Sequence, residues 1–229
     1  MSFIDVTLYL LEGFKLTCLL FALTLLFALP LGLLISFCTM SRIKPLSILF
    51  KIIVWIVRGI PLMLQIFIIY YVPGFLNNNI FAKVDLYFYL NYQLEDMGRF
   101  IAVLVAFSIN YACYFSEIFR GGIQSISRGQ YEACSVLGMS KTQTFSYVIL
   151  PQVIKRIVPP MSNEVITLVK DTALARVILV AELIMKAERL MASALIWPLF
   201  YTGLFYLIFV GILTLLFGFI ERKLSYYKV

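Results

Sequence analysis

The chain has 229 residues, of which 62% are apolar and 14% are charged, and its mean hydropathy is +0.96. In a soluble domain only about half of the residues are apolar, so this composition excludes that class and indicates an integral membrane protein. The formal net charge is +7. No patch of basic and aromatic residues accompanies it, so the charge does not indicate a nucleic-acid partner.

Five apolar segments are long enough, or nearly so, to cross a bilayer, which takes about 20 helical residues. They predict an all-α, polytopic membrane protein with a single transmembrane domain over residues 1–229. The predicted spans cover about residues 14–39, 52–74, 99–118, 157–180 and 197–220. The first segment is too long for the apolar core of a signal peptide, and no basic residue precedes Lys15. We therefore expect it to be retained as a span.

The distribution of Lys and Arg predicts the orientation of the spans. If the N-terminus is outside, the segments on the inner side carry 11 basic residues and those on the outer side carry four. Because cytoplasmic segments carry an excess of basic residues, this bias predicts the N-terminus outside and the C-terminus inside. The same rule accounts for the positive net charge.

The stretch SRGQYEACSVLGMSKTQTFSYVILP, residues 127–151, lies between the third and fourth predicted spans on the cytoplasmic side. It predicts a helical hairpin with two capped starts. Ser127 with Gln130, and Ser140 with Gln143, each have the spacing of a capping box. In that motif the serine hydroxyl and the glutamine amide each satisfy a backbone N–H group.

Gly138 suits the left-handed position just after the first hairpin helix, and Pro151 should stop or kink the chain before span four. Apolar side chains cover much of the first helix. They are Tyr131, Cys134, Val136 and Leu137. These side chains either pack against the inner ends of the spans or dock into another protein, and the residues alone leave both interpretations open.

Span four contains charged residues, although a charge near the bilayer centre costs at least about 2.5–3.5 kcal/mol. On a helix Asp171 lies about 20° from Glu164, with Thr167 between them, so two carboxylates share one stripe. This stripe predicts a translocation pathway that pairs with the cationic groups of an amino acid. The alternative is a structural network, in which Asp171 pairs with Arg58 or Lys170 with a neighbouring carboxylate. We prefer the pathway for Glu164 and the structural interpretation for Asp171 and Lys170.

Further polar interruptions are candidates for the same pathway. The stretch 58–61, Arg-Gly-Ile-Pro, breaks the second span, because proline removes a backbone donor there. Asn110 lies in the otherwise apolar third span. Its side chain forms either an interhelical hydrogen bond or a substrate contact. Asp171 with Thr172 could cap a restarted helix inside span four. The outer segment 77–96 predicts an interfacial helix or a folded loop that could meet an extracytoplasmic binding protein.

The residue types that chemistry would need are missing. The sequence has no histidine, and its four cysteines form no CxxC pair. We therefore expect neither a Cys/His metal site nor disulfides. A GxxxxGK[ST] phosphate loop is also missing, so the chain offers no cradle for ATP. We expect no cofactor, no metal and no catalytic residue.

The ordered motifs resemble the permease subunits of ABC importers for polar amino acids, in the histidine, glutamine and arginine branch. Glu132-Ala133-Cys134, with Gly138 and the following 149–151, is similar to the cytoplasmic EAA signature of that family, although Cys134 stands where alanine is common. Ile60 stands where these permeases usually carry threonine. The other matching stretches are LLEGFKLTCLL (10–20), VRGIPLMLQIFIIYY (57–71), SEIFRGGIQSI (116–126), NEVITLVKDTAL (163–174) and FIER (219–222).

The resemblance implies a type I ABC importer permease fold in a bacterial cytoplasmic (inner) membrane, surrounded by lipid. It implies three protein partners: an ATP-binding subunit that hydrolyses ATP, a second permease subunit that is identical or paralogous, and an extracytoplasmic amino acid-binding protein. It also implies that the hairpin docks on the ATPase as a coupling helix. The implied coupling residues are Tyr131, Glu132, Ala133, Cys134, Leu137, Gly138 and Pro151.

The predicted substrate is a polar and preferably basic amino acid, with glutamine or cystine as alternatives. The rival functions are a secondary amino acid transporter driven by an ion gradient and a non-transporting membrane scaffold. The halves of the chain show no convincing internal repeat, which disfavours the first rival. The carboxylate stripe in span four disfavours the second.

Overall fold

The computed structural model describes residues 2–76, 79–92, 96–192 and 194–224. Within them every regular element is a helix and no strand occurs, which confirms the predicted all-α class. A π-helical segment, Thr144–Ile149, leads into α8, and a 3-10 segment, Thr172–Ile178, follows it. The α-helices are α1 Phe3–Thr39, α2 Lys44–Gly59, α3 Leu62–Phe75, α4 Ile80–Tyr92, α5 Met97–Gln124, α6 Arg128–Val136, α7 Lys141–Gln143, α8 Leu150–Asp171, α9 Leu183–Ala192 and α10 Trp197–Leu224.

Among the described residues, α1, α5 and α10 are each long and apolar enough to cross a membrane. The pair α2 and α3 makes a fourth candidate if it is one bent span. Helix α8 corresponds to the fourth predicted span but is not among the candidates, since it carries several charged residues. The number of five spans therefore stays a prediction.

Helix α1 is longer than the first predicted span, because it begins at Phe3. A capping box between Ser2 and Asp5 fixes that start, with distances of 2.9 and 3.2 Å. At 1.5 Å per residue its 37 residues span about 55 Å, which exceeds the hydrocarbon thickness of about 30 Å. Helix α1 is therefore longer than the hydrocarbon layer is thick.

The second predicted span consists of two helices, α2 and α3, which meet at an angle of 104°. Pro61 has no N–H group to donate to the carbonyl of Val57, four residues earlier. The buried side chain of Gln65 replaces that donor: its amide nitrogen lies 2.7 Å from the Val57 oxygen and 2.8 Å from the Ile60 oxygen. The break that the sequence predicts at 58–61 is thus held by Gln65.

The main core lies between α1 and α5. The largest buried side chains of α5 are aromatic and face small residues of α1: Phe107, Tyr111 and Phe115 from α5, with Ala28 and Gly32 from α1. Small residues let two membrane helices approach closely, and close packing drives their association in lipid. At Gly32 the approach is so close that an added Cβ would lie 2.9 Å from the Ala112 oxygen.

A second apolar cluster joins the start of α1 to α9. Val6 and Leu10 pack there against Leu183, and Glu182 holds the start of α9. The Glu182 carboxylate is completely buried and accepts two backbone N–H groups at 2.8 Å, those of residues 184 and 185. Burial raises the pKa of Glu182 to about 7. An ion pair of 2.5 Å between Glu12 and Lys186 closes the same contact.

Span four differs from the sequence prediction at both ends. Helix α8 begins at Leu150, before the predicted start at residue 157, and changes to 3-10 geometry at Thr172. The prediction that Asp171 caps a restarted helix is wrong, because its side chain makes no capping hydrogen bond. The carboxylate instead accepts a hydrogen bond from Tyr111 on α5.

The outer segment 77–96 contains a helix, as one of the two predicted alternatives requires. Helix α4 is tied to the start of α5, since the Gly98 N–H donates to the Asp85 carboxylate at 2.6 Å. Residues 77, 78 and 93–95 of this prediction lie outside the described residues. The location of α4 at the membrane surface stays a prediction.

The close contact at Gly32 gives a test of the α1–α5 packing. We expect Gly32→Ala to lower the free energy of unfolding by about 1–3 kcal/mol, because the new methyl group must push the two helices apart. Thermal unfolding in detergent measures the change. Gly211→Ala in α10 is the matched control, since nothing lies within 4 Å of its added Cβ and alanine is the better helix former. Equal stability of the two variants would contradict the packing described here.

Candidate functional site

One cavity of about 590 Å³ brings together all five residues that the sequence predicts for a pathway. They are Arg58, Asn110, Glu164, Thr167 and Asp171. The end of α2, the middle of α5 and the second half of α8 carry them. The remaining lining residues of this central cavity are Gly59, Ile60, Pro61, Leu62, Tyr111, Tyr114 and Leu174. Their role in transport stays a prediction.

The two carboxylates of the predicted stripe have different surroundings. The Tyr111 hydroxyl donates to the Asp171 carboxylate at 2.7 Å, and Tyr111 is itself almost fully buried in the core. Glu164 is half-buried, and no described residue donates a hydrogen bond to it or lies within ion-pair distance. An unpaired carboxylate beside a cavity is available to a cationic group of a ligand.

The predicted ion pair between Asp171 and Arg58 is wrong. The Arg58 guanidinium instead lies over the ring of Tyr114, 4.8 Å from its centroid, and 3.9 Å from the Glu117 carboxylate. Both of these partners stand on α5, which packs between α2 and α8. Asp171 has the hydroxyl of Tyr111 as its partner instead.

Lys170 does not form the predicted structural ion pair within the described part of the chain. Its side chain is exposed, and no described carboxylate lies within 4.0 Å of it. Asn163, Thr167 and Lys170 are all exposed and share one face of α8. A polar face on a helix in this position faces water or another protein subunit rather than lipid.

A second cavity of about 440 Å³ lies beside the central one, toward the hairpin. Three residues line both cavities: Arg58, Tyr114 and Glu164. The other lining residues come from the ends of α5 and α8 that are nearest to the hairpin, together with the loop between α5 and α6: Glu117, Ile118, Gly121, Gly122, Ser125, Arg156 and Pro160. The two cavities therefore meet at one shared group of side chains.

Sequence reasoning missed the functional side chains of α5 apart from Asn110. Tyr111, Tyr114 and Glu117 follow one another at intervals of three residues, so they lie along one side of the helix. A polar stripe in an otherwise apolar span could have singled them out. Their partners could not, because Asp171 is 60 residues away from Tyr111.

The hairpin keeps one of its two predicted capping boxes. Ser140 and Gln143 form the motif, with distances of 2.8 and 3.3 Å. The prediction of a capping box at Ser127 is wrong, although Ser127 does precede the first residue of α6. The side-chain oxygen of Gln130 instead accepts from the Gln152 amide at 3.1 Å, and this bond ties α6 to α8.

The predictions for the turn of the hairpin and for the start of α8 have different outcomes. Gly138 has φ of +70°, the left-handed conformation that was predicted after the first helix. Pro151 does not stop the helical chain, so that part of the prediction is wrong, and the kink stays a prediction. Pro151 is the second residue of α8, where a helix needs no N–H donor, and the π-helical segment before it changes the register of the backbone bonds.

The apolar residues of α6 are divided between two sides. Cys134 is 3% exposed and packs inside the hairpin. Tyr131, Val136 and Leu137 are exposed, the last two by 88% and 77%. Tyr131 and Phe145 line a small pocket with a volume of about 390 Å³. Glu132 and Ala133 are exposed on the same short helix, so the hairpin presents an apolar surface with one carboxylate.

The sequence matches a described family over most of its length. Residues 28–226 match the family "Binding-protein-dependent transport system inner membrane component". The L-cystine transport system permease protein TcyB of Bacillus subtilis is 38% identical over 209 residues, which are 90% of this chain and 82% of that protein. The arginine transport system permease protein ArtQ of the same organism is 34% identical over 219 residues, 95% of this chain and 93% of that protein.

The fold also matches a solved structure. The crystal structure of an amino acid ABC transporter with histidines contains a chain that superposes with a TM-score of 0.79 at 29% sequence identity. The match covers 97% of this chain and 97% of that one. The helical arrangement described above is therefore that of a known transporter subunit.

The two hydrogen bonds from Gln65 that hold the break between α2 and α3 can be tested directly. We expect Gln65→Leu to lower the free energy of unfolding by about 1–3 kcal/mol, because the carbonyl groups of Val57 and Ile60 lose their donor in a dry environment. Thermal unfolding in detergent measures it. Gln124→Leu is the control, since that exposed side chain accepts only from Arg120. If both variants are as stable as the parent, Gln65 does not hold the bend.

Proposed function

Because the chain belongs to the family of binding-protein-dependent transport system inner membrane components, we propose that it forms the translocation pathway of an ATP-driven importer for polar amino acids. The observation that supports this proposal most strongly is the central cavity. There the unpaired carboxylate of Glu164 and the guanidinium of Arg58 line one space. A bound basic amino acid presents the cationic group of its side chain to Glu164 and its carboxylate to Arg58, and hydrogen bonds between charged groups are the strong ones.

The charges of the cavity favour a basic amino acid as substrate. Two carboxylates, Glu164 and Asp171, face one guanidinium, Arg58, so the lining has an excess of negative charge. Arginine or lysine would bring a second cationic group to this excess. Cystine is the second candidate, because it carries two ammonium groups and one of the relatives is named for its transport.

The orientation proposed for the chain has five spans, with the N-terminus outside and the C-terminus inside a bacterial cytoplasmic membrane. Counting the bent pair α2–α3 and the charged α8 as one span each supports that number, together with α1, α5 and α10. The bias of 11 basic residues to four supports the direction. In this orientation the hairpin lies in the cytoplasm.

The hairpin is proposed as the docking element for a separate ATPase subunit. Exposed apolar side chains on a cytoplasmic surface mark a protein contact more often than a free surface. Tyr131, Leu137 and the carboxylate of Glu132 would form this contact. Cys134 supports it from beneath, while Gly138 and Pro151 shape the turn and the entry into α8.

The other partners proposed are a second permease subunit and an extracytoplasmic amino acid-binding protein. The exposed polar face of α8, with Asn163, Thr167 and Lys170, supports a second subunit across the pathway. ATP binding would close the ATPase pair, move the hairpins together and switch the spans between inward-facing and outward-facing states. The relatives are named as transport system permease proteins, which supports a transport role for this chain. We place ATP hydrolysis on the separate subunit.

The docking role of the hairpin predicts a specific loss of assembly. We expect Glu132→Arg to abolish co-purification of an ATPase subunit with the tagged chain in mild detergent, because the substitution reverses the only carboxylate of the described hairpin surface. Glu221→Arg near the end of α10 is the matched control and should leave the complex intact. A Glu132→Arg complex that retains the ATPase and transports normally would contradict the proposal.

The charge of the cavity predicts selectivity between substrates. Glu164→Gln should reduce transport of L-arginine about tenfold more than transport of L-glutamine, because a charge-assisted hydrogen bond is stronger than a neutral one by about 1–1.5 kcal/mol. Uptake of the two labelled amino acids into vesicles gives the ratio, with Glu221→Gln as control. An equal loss for both substrates would remove the argument from charge.

A further inference from the structure

The two cavities that lie along α5 are separated by a small set of side chains. Arg58, Tyr114 and Glu164 line the central cavity on one side and the second cavity on the other. A solute that moves directly from the central cavity into the second cavity passes these three residues. Of the three, only Arg58 is a long and flexible cation, so it is the side chain best able to change position.

The contacts of Arg58 hold it across this passage. Its guanidinium lies 4.8 Å from the ring centroid of Tyr114, and its Nη1 lies 3.9 Å from the Oε2 of Glu117. The backbone beneath it is fixed, because Arg58 lies in the last turn of α2, just before the break that the hydrogen bonds of Gln65 hold. The side chain can therefore rotate about a rigid base.

These contacts are weak enough to be exchanged. Glu117 is already bound by Arg120, whose two nitrogen atoms lie 2.6 and 3.1 Å from its carboxylate. The contact with Arg58 is longer, and its two side chains are 40% and 24% exposed, so this pair contributes little to stability. On the other side of the guanidinium, Glu164 has no partner in the described chain.

We propose that Arg58 is the gate between the central cavity and the second cavity, with the Tyr114 ring as its seat and Glu117 as its anchor. The gate is closed while the guanidinium rests on Tyr114 near Glu117, and it opens when the guanidinium leaves that position. This proposal rests on the proposed function for its physiological meaning, because the gated passage is then the exit route of the substrate. If Arg58 had only a structural role, its replacement would leave the passage between the two cavities as closed as it is in the parent chain.

Accessibility of a single cysteine tests the gate without any assumption about substrate. Asn110 lines the central cavity and not the second one, and it is otherwise buried. Asn110→Cys is introduced into a chain whose four native cysteines are replaced by alanine, and the complex is kept in membrane vesicles. A membrane-impermeant methanethiosulfonate is then added on the hairpin side, and the rate of labelling is measured.

We expect the cysteine to be labelled slowly while Arg58 is in place. In the Arg58→Ala variant we expect labelling to be at least about fivefold faster, because the stacking contact with Tyr114 and the weak ion pair with Glu117 are lost. Tyr114→Leu and Glu117→Gln should also accelerate it, and they keep the test decisive if Arg58→Ala does not fold. Arg120→Gln is the matched control, because Arg120 binds the same carboxylate but lines neither cavity. Its labelling rate should not rise.

Two results would overturn the gate. One is rapid labelling of the parent Asn110→Cys chain from the hairpin side, which would mean that the passage is already open. The other is an unchanged rate in Arg58→Ala and Tyr114→Leu together. Neither result bears on the importer proposal, since labelling needs neither ATP nor an amino acid, whereas that proposal stands or falls on transport.

Discussion

The helix break between α2 and α3 depends on the amide of Gln65, and the cavity depends on that break. In lipid every backbone polar group needs a partner from the protein, so a proline inside a span is tolerated only where another donor replaces its N–H. Gln65 supplies that donor to the Val57 and Ile60 carbonyl groups. The resulting bend of 104° ends α2 at the edge of the cavity and leaves Arg58 facing α5.

Most charged groups around the cavity have only partial charge compensation from the protein. Asp171 has one hydroxyl partner, and Arg58 has an aromatic face and a distant carboxylate that is shared with Arg120. Glu164 has none within the described chain. By contrast, Glu182 is wholly buried and accepts two backbone amides, as a structural carboxylate does. This difference separates the group that is free for a ligand from the groups that hold the fold.

Local signals explain what could be predicted from the sequence. The carboxylate stripe, the break at 58–61 and the left-handed Gly138 depend on helix period, proline and glycine, which act within a few residues. The failures involve distant competitors. The capping box at Ser127 is not formed, and the Gln130 side-chain oxygen instead accepts from the amide of Gln152, 22 residues further along the chain. The pairing of Asp171 required knowledge that α5 packs against α8.

A measurement of the energy source that drives transport tests the proposed importer function most directly. The complex that co-purifies with this chain would be reconstituted into liposomes with the extracytoplasmic binding protein outside, and uptake of labelled L-arginine and L-cystine would be measured. The account predicts uptake of at least one of them only when ATP is present on the hairpin side, with no uptake driven by a sodium or proton gradient alone. Uptake that follows an ion gradient without ATP would contradict it and favour a secondary transporter.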